Sequence, residues 1–280
     1  MTLRSRRFVD RLASALAAAC TTALLLPLVL ILGDLLARGV GALDLGLFMH
    51  LPRPVGETGG GMANAIVGSL TLVALAAALG LPIGVLTGVY LAEHRRTPFG
   101  ATVRFCADVL NGVPSIVIGI YVYTLVVLPM KGFSGYAGGI ALAVIMLPIV
   151  ARTTEEMIRL VPTSLREASL ALGVPMWRTT VSVVLRTARG GILTGMILAI
   201  ARVAGETAPL IFTAFGNQYW QSGLGGPIAS LPVQIYTYAI SPFDDWHRQA
   251  WAGALVLMTL IGATSLSVRL LTRGKIAHGR

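Results

Sequence analysis

Residues 59–92 read GGGMANAIVGSLTLVALAAALGLPIGVLTGVYLA and contain no charged side chain. A bilayer has a hydrocarbon core about 30 Å thick, which a helix of about 20 apolar residues can cross. Five similar stretches occur elsewhere in the chain, at 12–33, 109–130, 132–151, 190–213 and 249–268. Arg202 and Glu206 interrupt the stretch 190–213, which is the fifth of the six in chain order. The pattern predicts an all-α integral membrane protein with six transmembrane helices.

The composition of the 280-residue chain agrees with a membrane location. Hydrophobic residues make up 55% of the chain and charged residues 12%, whereas a soluble domain carries about 25% charged residues. These values exclude a soluble enzyme with a large polar surface. The net charge of +10 could indicate a nucleic-acid binder. However, the basic residues form short clusters between apolar stretches instead of one exposed face.

The distribution of lysine and arginine predicts the orientation of the helices. Cytoplasmic loops of membrane proteins carry an excess of these residues. They are concentrated before residue 12, in the 93–104 loop, in the 152–189 loop and after residue 268. The opposite side holds only Arg38, Arg53, Lys131 and Arg248. Both termini are therefore expected in the cytoplasm.

The amino terminus has some features of a signal peptide, because arginines precede an apolar run and Cys20 follows three alanines. The strongest apolar stretch, 24–32, comes after Cys20, so we expect a retained first helix. Prolines fall inside or at the ends of four further stretches, and we expect kinks or breaks there. These prolines are Pro82, Pro114, Pro148 and Pro209. Lys131 alone separates the third and fourth stretches, which predicts a tight hairpin.

The segment 214–248, on the side opposite the basic loops, is rich in tyrosine, tryptophan and phenylalanine. Such residues commonly form an aromatic belt at the membrane interface. A structured lid, or a docking surface for an external partner, is the alternative.

The longest basic loop, 152–189, is predicted to contain a short helix-turn-helix. A helix begins near Pro162-Thr163-Ser164, with Glu167 placed as in a capping box, and Gly173 ends it. Such a hairpin could rest on another protein or on the membrane surface, and periodicity does not distinguish the two.

Residue details in this loop resemble the EAA loop of ABC importer permeases. The match consists of Glu167-Ala168-Ser169, Gly173 six positions after the glutamate, and then Val183 and Leu185. The resemblance implies a type I ABC importer permease (MetI-like) fold. It also implies that Glu167, Ala168, Ser169 and Gly173 couple the chain to a cytoplasmic ATPase. Arg186 stands where the family pattern has a proline.

Arg202 and Glu206 are the charged residues inside the fifth stretch. A charge near the membrane centre costs roughly 2.5–3.5 kcal/mol on insertion scales, so such residues usually face a bundle interior or a wet cavity. Residues four apart share a helix face, so the two can form an intrahelical ion pair. The pair could fix helix packing. Alternatively, Arg202 could bind an anion, for which its planar guanidinium is well suited.

Three further motifs together resemble the PstA family of phosphate importer permeases, over about residues 64–273. They are DVLNGVPS (108–115), LPIVARTTEE (147–156) and RVAGETAPL (202–210). The resemblance implies a phosphate pathway at Arg202 and Glu206. It implies four partners: a second, PstC-like permease, a PstB-like ATPase dimer, an external PstS-like phosphate-binding protein and membrane lipid. It also implies a multi-pass protein of the bacterial inner membrane.

The chain lacks the nucleotide-binding motif that ends in Gly-Lys-Ser/Thr, so we expect no catalytic residues and ATP hydrolysis in a partner. We also expect no cofactor and no metal, because the cysteines and histidines have no ligand spacing. The expected divisions are 1–63 (first helix and external loop), 64–273 (permease core) and 274–280 (cytoplasmic tail). A permease for sulfate, molybdate or tungstate, a non-ABC channel and an intramembrane enzyme remain alternatives.

Overall fold

The structure is a computed structural model that describes the backbone of residues 3–276 and the side chains of residues 10–266. Most of the expected tail, 274–280, lies outside the described residues. Within them the regular structure is entirely helical. The helices are α1 (Leu3–Ala42), α2 (Leu45–Met49), α3 (Ala63–Glu93), α4 (Pro98–Gly112), α5 (Ser115–Val122), α6 (Leu128–Met130), α7 (Gly135–Arg159), α8 (Thr163–Ala171), α9 (Met176–Thr179), α10 (Leu185–Ala204), α11 (Ala208–Thr213), α12 (Leu231–Ala239) and α13 (Asp244–Ile276). The π-helical turns Tyr123–Val127 and Thr180–Val184 join α5 to α6 and α9 to α10.

Five continuous helical segments are long and apolar enough to cross a membrane, and a bent pair provides a sixth. The five are Asp10–Ala42, Ala63–Glu93, Gly135–Arg159, Met176–Ala204 and Asp244–Leu266. The all-helical membrane fold predicted from the sequence is confirmed.

The third predicted stretch, 109–130, begins too early. It contains a 105° bend between α4 and the segment Ser115–Met130. Val113 is extended, with φ −71° and ψ 129°, because a residue before proline is disfavoured in the helical conformation. Pro114 thus ends α4, and the crossing starts at Ser115.

The fifth helical segment starts and ends earlier than predicted. Helical structure begins at Met176, so the second half of the 152–189 loop belongs to this segment. It stops at Ala204, and the chain becomes helical again only at Ala208. Pro209 lies in the first turn of α11, a position where its missing N–H costs nothing.

The other two internal prolines do not break their helices. Pro82 and Pro148 lie inside α3 and α7, which continue through them. The expected breaks at Pro114 and Pro209 are therefore confirmed, whereas α3 and α7 are not broken at Pro82 and Pro148. Helices packed among other membrane helices tolerate proline because neighbouring groups satisfy the freed carbonyls.

The centre of the bundle is the contact between α3 and α7. Glycines spaced four apart on α3 lie on one helix face and let the two backbones approach closely. A β-carbon added at Gly84 would lie 2.8 Å from the β-carbon of Val150, closer than two carbon atoms can pack. Small residues at such interfaces are typical of membrane helices.

In contrast to this core, α1 lies on the outside of the bundle, packed along α13. No residue is buried in its most apolar 18-residue stretch. Among residues 10–42, the close packing is at the carboxyl-terminal end, where Gly39 lies against Leu255 and Trp251. The apolar surface of α1 is therefore left for lipid or for another subunit.

The predicted hairpin between the third and fourth stretches is confirmed. It spans the few residues between α6 and α7, with Lys131 in the left-handed region at φ 54°. The N–H of Ser134 donates to the carbonyl of Thr213 (3.1 Å), and that of Gly135 to the carbonyl of Gly226 (3.0 Å). These bonds hold the segment after α11 against the bundle.

Candidate functional site

Arg202 lies in the last turn of α10, three positions before Gly205 ends the helix. Its side chain is exposed on the surface of the chain. Among the ion pairs that involve residues 10–266, none includes Arg202. The guanidinium is thus a cation in an apolar segment without a carboxylate partner in the described structure.

The possible ion pair between Arg202 and Glu206 is not formed within residues 10–266. Because α10 ends at Ala204, the two residues do not share a helix face, and Glu206 lies in the non-helical break. The Glu206 N–H donates to the carbonyl of Val203 (3.1 Å). Its half-buried side chain forms no ion pair within residues 10–266 either.

Arg202 instead lines a small cleft together with two polar residues from the α4–α5 bend. Asn111 is near the end of α4 and Ser115 is the first residue of α5. The remaining lining residues are apolar: Leu110, Val113, Ile118, Ile145 and Ile149. The cleft volume of about 20 Å³ suits a single water. A larger ligand would have to sit at its mouth, where Arg202 and Asn111 are exposed.

The chemistry of this cleft favours an anion. Arginine supplies only donors, while the asparagine amide and the serine hydroxyl can each donate. The amino-terminal N–H groups of a helix also lack intrahelical acceptors and carry partial positive charge, and α5 begins here. The sequence contained Asn111 and Ser115 within a quoted motif, but hydropathy gave no sign that the bend places them beside Arg202.

The 152–189 loop contains the predicted short helix, α8. Gly173 has φ +77°, its N–H donates to the carbonyl of Leu170 (2.9 Å), and the N–H of Val174 donates to that of Ser169 (3.3 Å). This is the Schellman arrangement that ends helices at glycine. The predicted start and stop are confirmed. The capping box is wrong, because Pro162 is the cap residue and no side chain caps the helix.

One face of α8 is attached to the rest of the chain. The Ser169 and Thr179 hydroxyls lie 2.9 Å apart and are buried, which joins α8 to α9. The guanidinium of Arg166 donates to both carboxylate oxygens of Glu93, at 2.7 and 3.0 Å. These contacts fix α8 against the end of α3.

The other face of α8 is free. Glu167 and Ala168 are exposed, and so are large apolar side chains in and after α8, including Leu172 at 84% and Trp177 at 70%. Exposed apolar side chains in one segment are typical of a surface that contacts another molecule.

A buried carboxylate in the first part of the 152–189 segment, which belongs to α7 in the structure, was missed from the sequence. Glu155 on α7 is fully buried and lies within ion-pair distance of Arg104, Arg152 and Arg159. In the structure it lies on the same helix face as Ala151 and Ile158, which are also buried, but the predicted apolar stretch ends at residue 151, so the sequence did not indicate that face.

On the side of the bundle away from α8, the aromatic segment encloses a cavity of about 340 Å³ lined in part by Phe215, Tyr236 and Tyr238. The ring of Tyr238 stacks on Trp246, with centroids 4.4 Å apart, and burial raises the pKa of the Tyr238 phenol. Tyr238 therefore belongs to the packed interior and not to an interfacial belt. Tyr219, in contrast, is 73% exposed.

Comparison with known proteins gives consistent matches. Residues 80–276 match the family model of the binding-protein-dependent transport system inner membrane component. The phosphate transport system permease protein PstA of Yersinia pestis is 47% identical, over 95% of this chain and 90% of its own length. The protein of the same name from Xylella fastidiosa is 49% identical over 87% of this chain and 86% of its own.

Solved structures match the fold. A chain of the MetNI methionine ABC transporter in an inward-facing conformation aligns with a TM-score of 0.62 at 18% identity, over 76% of this chain and 96% of its own. A chain of a bacterial ABC transporter involved in alginate import aligns with a TM-score of 0.66 at 14% identity, over 96% of this chain and 98% of its own. At these identities the likeness concerns the fold alone.

Proposed function

This chain belongs to the binding-protein-dependent transport system inner membrane components and, within them, to the PstA phosphate permeases, and from this premise we propose how its residues move phosphate. It is a permease subunit of an ATP-driven phosphate importer in the bacterial inner membrane. It is not an enzyme, and a separate subunit hydrolyses ATP.

Arg202 is the residue that contacts phosphate during passage. The observation that carries this proposal is its guanidinium, which has no carboxylate partner within residues 10–266 and lies beside Asn111 and Ser115. Arginine binds phosphate through two parallel hydrogen bonds and stays charged at physiological pH. Glu206, two positions past the end of α10, limits how long the anion stays through like-charge repulsion.

A second permease subunit, PstC-like, covers the exposed side of this cleft. Arg202 and Asn111 are exposed on the surface of their own chain, and a charged side chain that faces lipid inside the membrane is costly. A second subunit would enclose an aqueous path between the two chains. Tight selection of phosphate then belongs to an external, PstS-like binding protein, because tight binding within the membrane would slow release.

The free face of α8 docks on a PstB-like ATPase. Glu167 and Ala168 are on that face, the Ser169 hydroxyl holds α8 to α9 through Thr179, and Gly173 ends the helix. This assignment places α8 and both termini in the cytoplasm, as the distribution of lysine and arginine indicates. It also makes 64–273 the permease core, with 1–63 as a peripheral first helix and loop.

The test is uptake in cells that lack the native chain. We expect wild type to restore uptake of radiolabelled phosphate but not of sulfate or molybdate. Glu167→Lys should abolish phosphate uptake in the assembled complex, because it reverses the charge on the docking face. Glu57→Lys, a charge reversal in the loop before α3, is the matched control and should transport normally.

Restored uptake of sulfate or molybdate instead of phosphate would contradict the assignment of phosphate as the substrate. Normal transport by Glu167→Lys would contradict the docking face. Assembly is checked in both variants by co-purification of the subunits.

A further inference from the structure

The carboxylate of Glu155 is fully buried and has three arginine neighbours. Nε of Arg104 lies 2.7 Å from Oε1, Nη1 of Arg152 lies 2.9 Å from Oε2, and Nη1 of Arg159 lies 3.7 Å from Oε1. A buried carboxylate is costly unless paired and hydrogen-bonded. Here both oxygens accept bonds from guanidinium groups, and we refer to Glu155 with these three arginines as the Glu155 cluster.

The Glu155 cluster joins three helices at one end of the bundle. Arg104 belongs to α4, and its Nη2 and Nη1 also donate to the carbonyls of Leu91 (2.6 Å) and Arg95 (3.2 Å), at and just after the end of α3. Arg152 on α7 also pairs with Asp108 on α4, at 3.0 Å. The ends of α3, α4 and α7 are therefore connected through charged hydrogen bonds, which are stronger than neutral ones.

The connected ends of α3, α4 and α7 lie between the two sites of the proposed function, which are the free face of α8 and the Arg202 cleft. On one side, α8 is attached to the same end of α3 through Arg166 and Glu93. On the other, α4 ends one residue after Asn111, and Ser115 begins α5. A displacement of α8 therefore has a continuous connection through α3 and α4 to the cleft beside Arg202.

We propose that Glu155 is a positioning residue that transmits the movement of α8 to the Arg202 cleft, by making the ends of α3, α4 and α7 move as one body. This inference rests on the proposed function. Without the Glu155 carboxylate, α8 still docks on the ATPase and hydrolysis continues, but α4 no longer follows. ATP is then consumed without a matching opening of the cleft.

The experiment uses the complete importer reconstituted in vesicles, with phosphate uptake and ATP hydrolysis measured in the same preparation. Glu155→Gln keeps the shape of the side chain and removes its charge. We expect phosphate transported per ATP to fall at least about fivefold, the lower end of typical coupling between sites, with basal hydrolysis preserved. Glu156→Gln, at the adjacent exposed position, should keep the wild-type ratio.

A purely structural role would lower the yield of complex and leave this ratio unchanged, and an unchanged ratio in Glu155→Gln overturns the inference. If Glu155→Gln does not assemble, Arg104→Lys decides, because lysine keeps a positive charge beside Glu155 but lacks the planar guanidinium that bonds to Glu155 and to the carbonyls of Leu91 and Arg95 together. A wild-type ratio of phosphate to ATP in Arg104→Lys would then overturn the inference. Vesicles with wild-type chain that hydrolyse ATP but take up no phosphate would overturn the proposed function, and this inference with it.

Discussion

At the end of α7 a carboxylate is surrounded by three arginines, whereas at the end of α10 an arginine lies beside an amide and a hydroxyl. The Glu155 cluster is closed, because the carboxylate is buried and both oxygens accept hydrogen bonds. The Arg202 cleft is open, and its guanidinium has no acidic partner within residues 10–266. The first arrangement satisfies its charge inside the chain, and the second leaves its charge available for an anion from outside.

The two arrangements also differ in what their removal should do. Removing one partner of a buried ion pair leaves an uncompensated charge and typically costs about 3–5 kcal/mol of stability. Removing an exposed arginine that has no ion-pair partner leaves no buried charge without a counter-charge. Variants at the cleft should therefore affect transport more than folding.

The largest effect is expected for Arg202→Ala. Loss of a charged hydrogen-bonding group costs about 1.5–3 kcal/mol, so phosphate uptake should fall by about 10-fold to 150-fold. Arg202→Lys should retain part of the activity, since lysine keeps the charge but loses the two parallel bonds. Uptake by cells at limiting phosphate measures both variants.

The control for Arg202 is the melting temperature of the purified complex, which should stay at the wild-type value in Arg202→Ala. Normal uptake in this variant would show that phosphate transport does not depend on Arg202. A large fall in melting temperature would show that the Arg202 side chain contributes to stability, as the paired charges of the Glu155 cluster do.

A smaller effect is expected when a carboxylate is added to the cleft. Asn111→Asp places an acid beside Arg202, so that the guanidinium gains an internal partner and phosphate meets a like charge. A nearby charge of this kind changes interaction energies by about 1–2 kcal/mol at partly exposed positions, which corresponds to about a tenfold loss of uptake. Asn111→Ala is the matched control and should lose less.

The comparison of Asn111→Asp with Asn111→Ala is measured as initial uptake rate against phosphate concentration. The aspartate variant should need more phosphate for half-maximal uptake than the alanine variant. Equal behaviour of the two would show that position 111 lies too far from the passing anion to matter.

Hydropathy was sufficient to predict the membrane fold, because about 20 apolar residues in succession have few other uses. The sequence also indicated the helix break before Ala208, because Gly205 and Pro209, which disfavour the interior of a helix, lie on either side of it. The resulting error at Glu206 came from assuming that an apolar stretch is one continuous helix. Pro148 carried the same signal as Pro114, and only the packing of α7 against its neighbours keeps its helix intact.

The residues that make up the Glu155 cluster and the Arg202 cleft were harder to predict from the sequence. Glu155 and Glu156 are adjacent and identical in type, and only the contacts of α7 with α3 and α4 decide which one is buried. Likewise, Asn111 is about ninety positions from Arg202 in the sequence. It reaches the cleft through a 105° bend whose angle the sequence does not specify.

The smallest effect is expected for Ser115→Ala, which tests the contribution of the α5 amino terminus to the cleft. The hydroxyl is one neutral hydrogen-bonding group, worth about 0.5–1.5 kcal/mol, so uptake should fall about threefold, with the backbone N–H groups of α5 still in place. Ser182→Ala is the matched control, because that hydroxyl bonds only to the carbonyl of Arg178 within its own helical segment. If both variants transport equally well, the anion passes Arg202 without reaching α5, and the cleft is then reduced to Arg202 and Asn111.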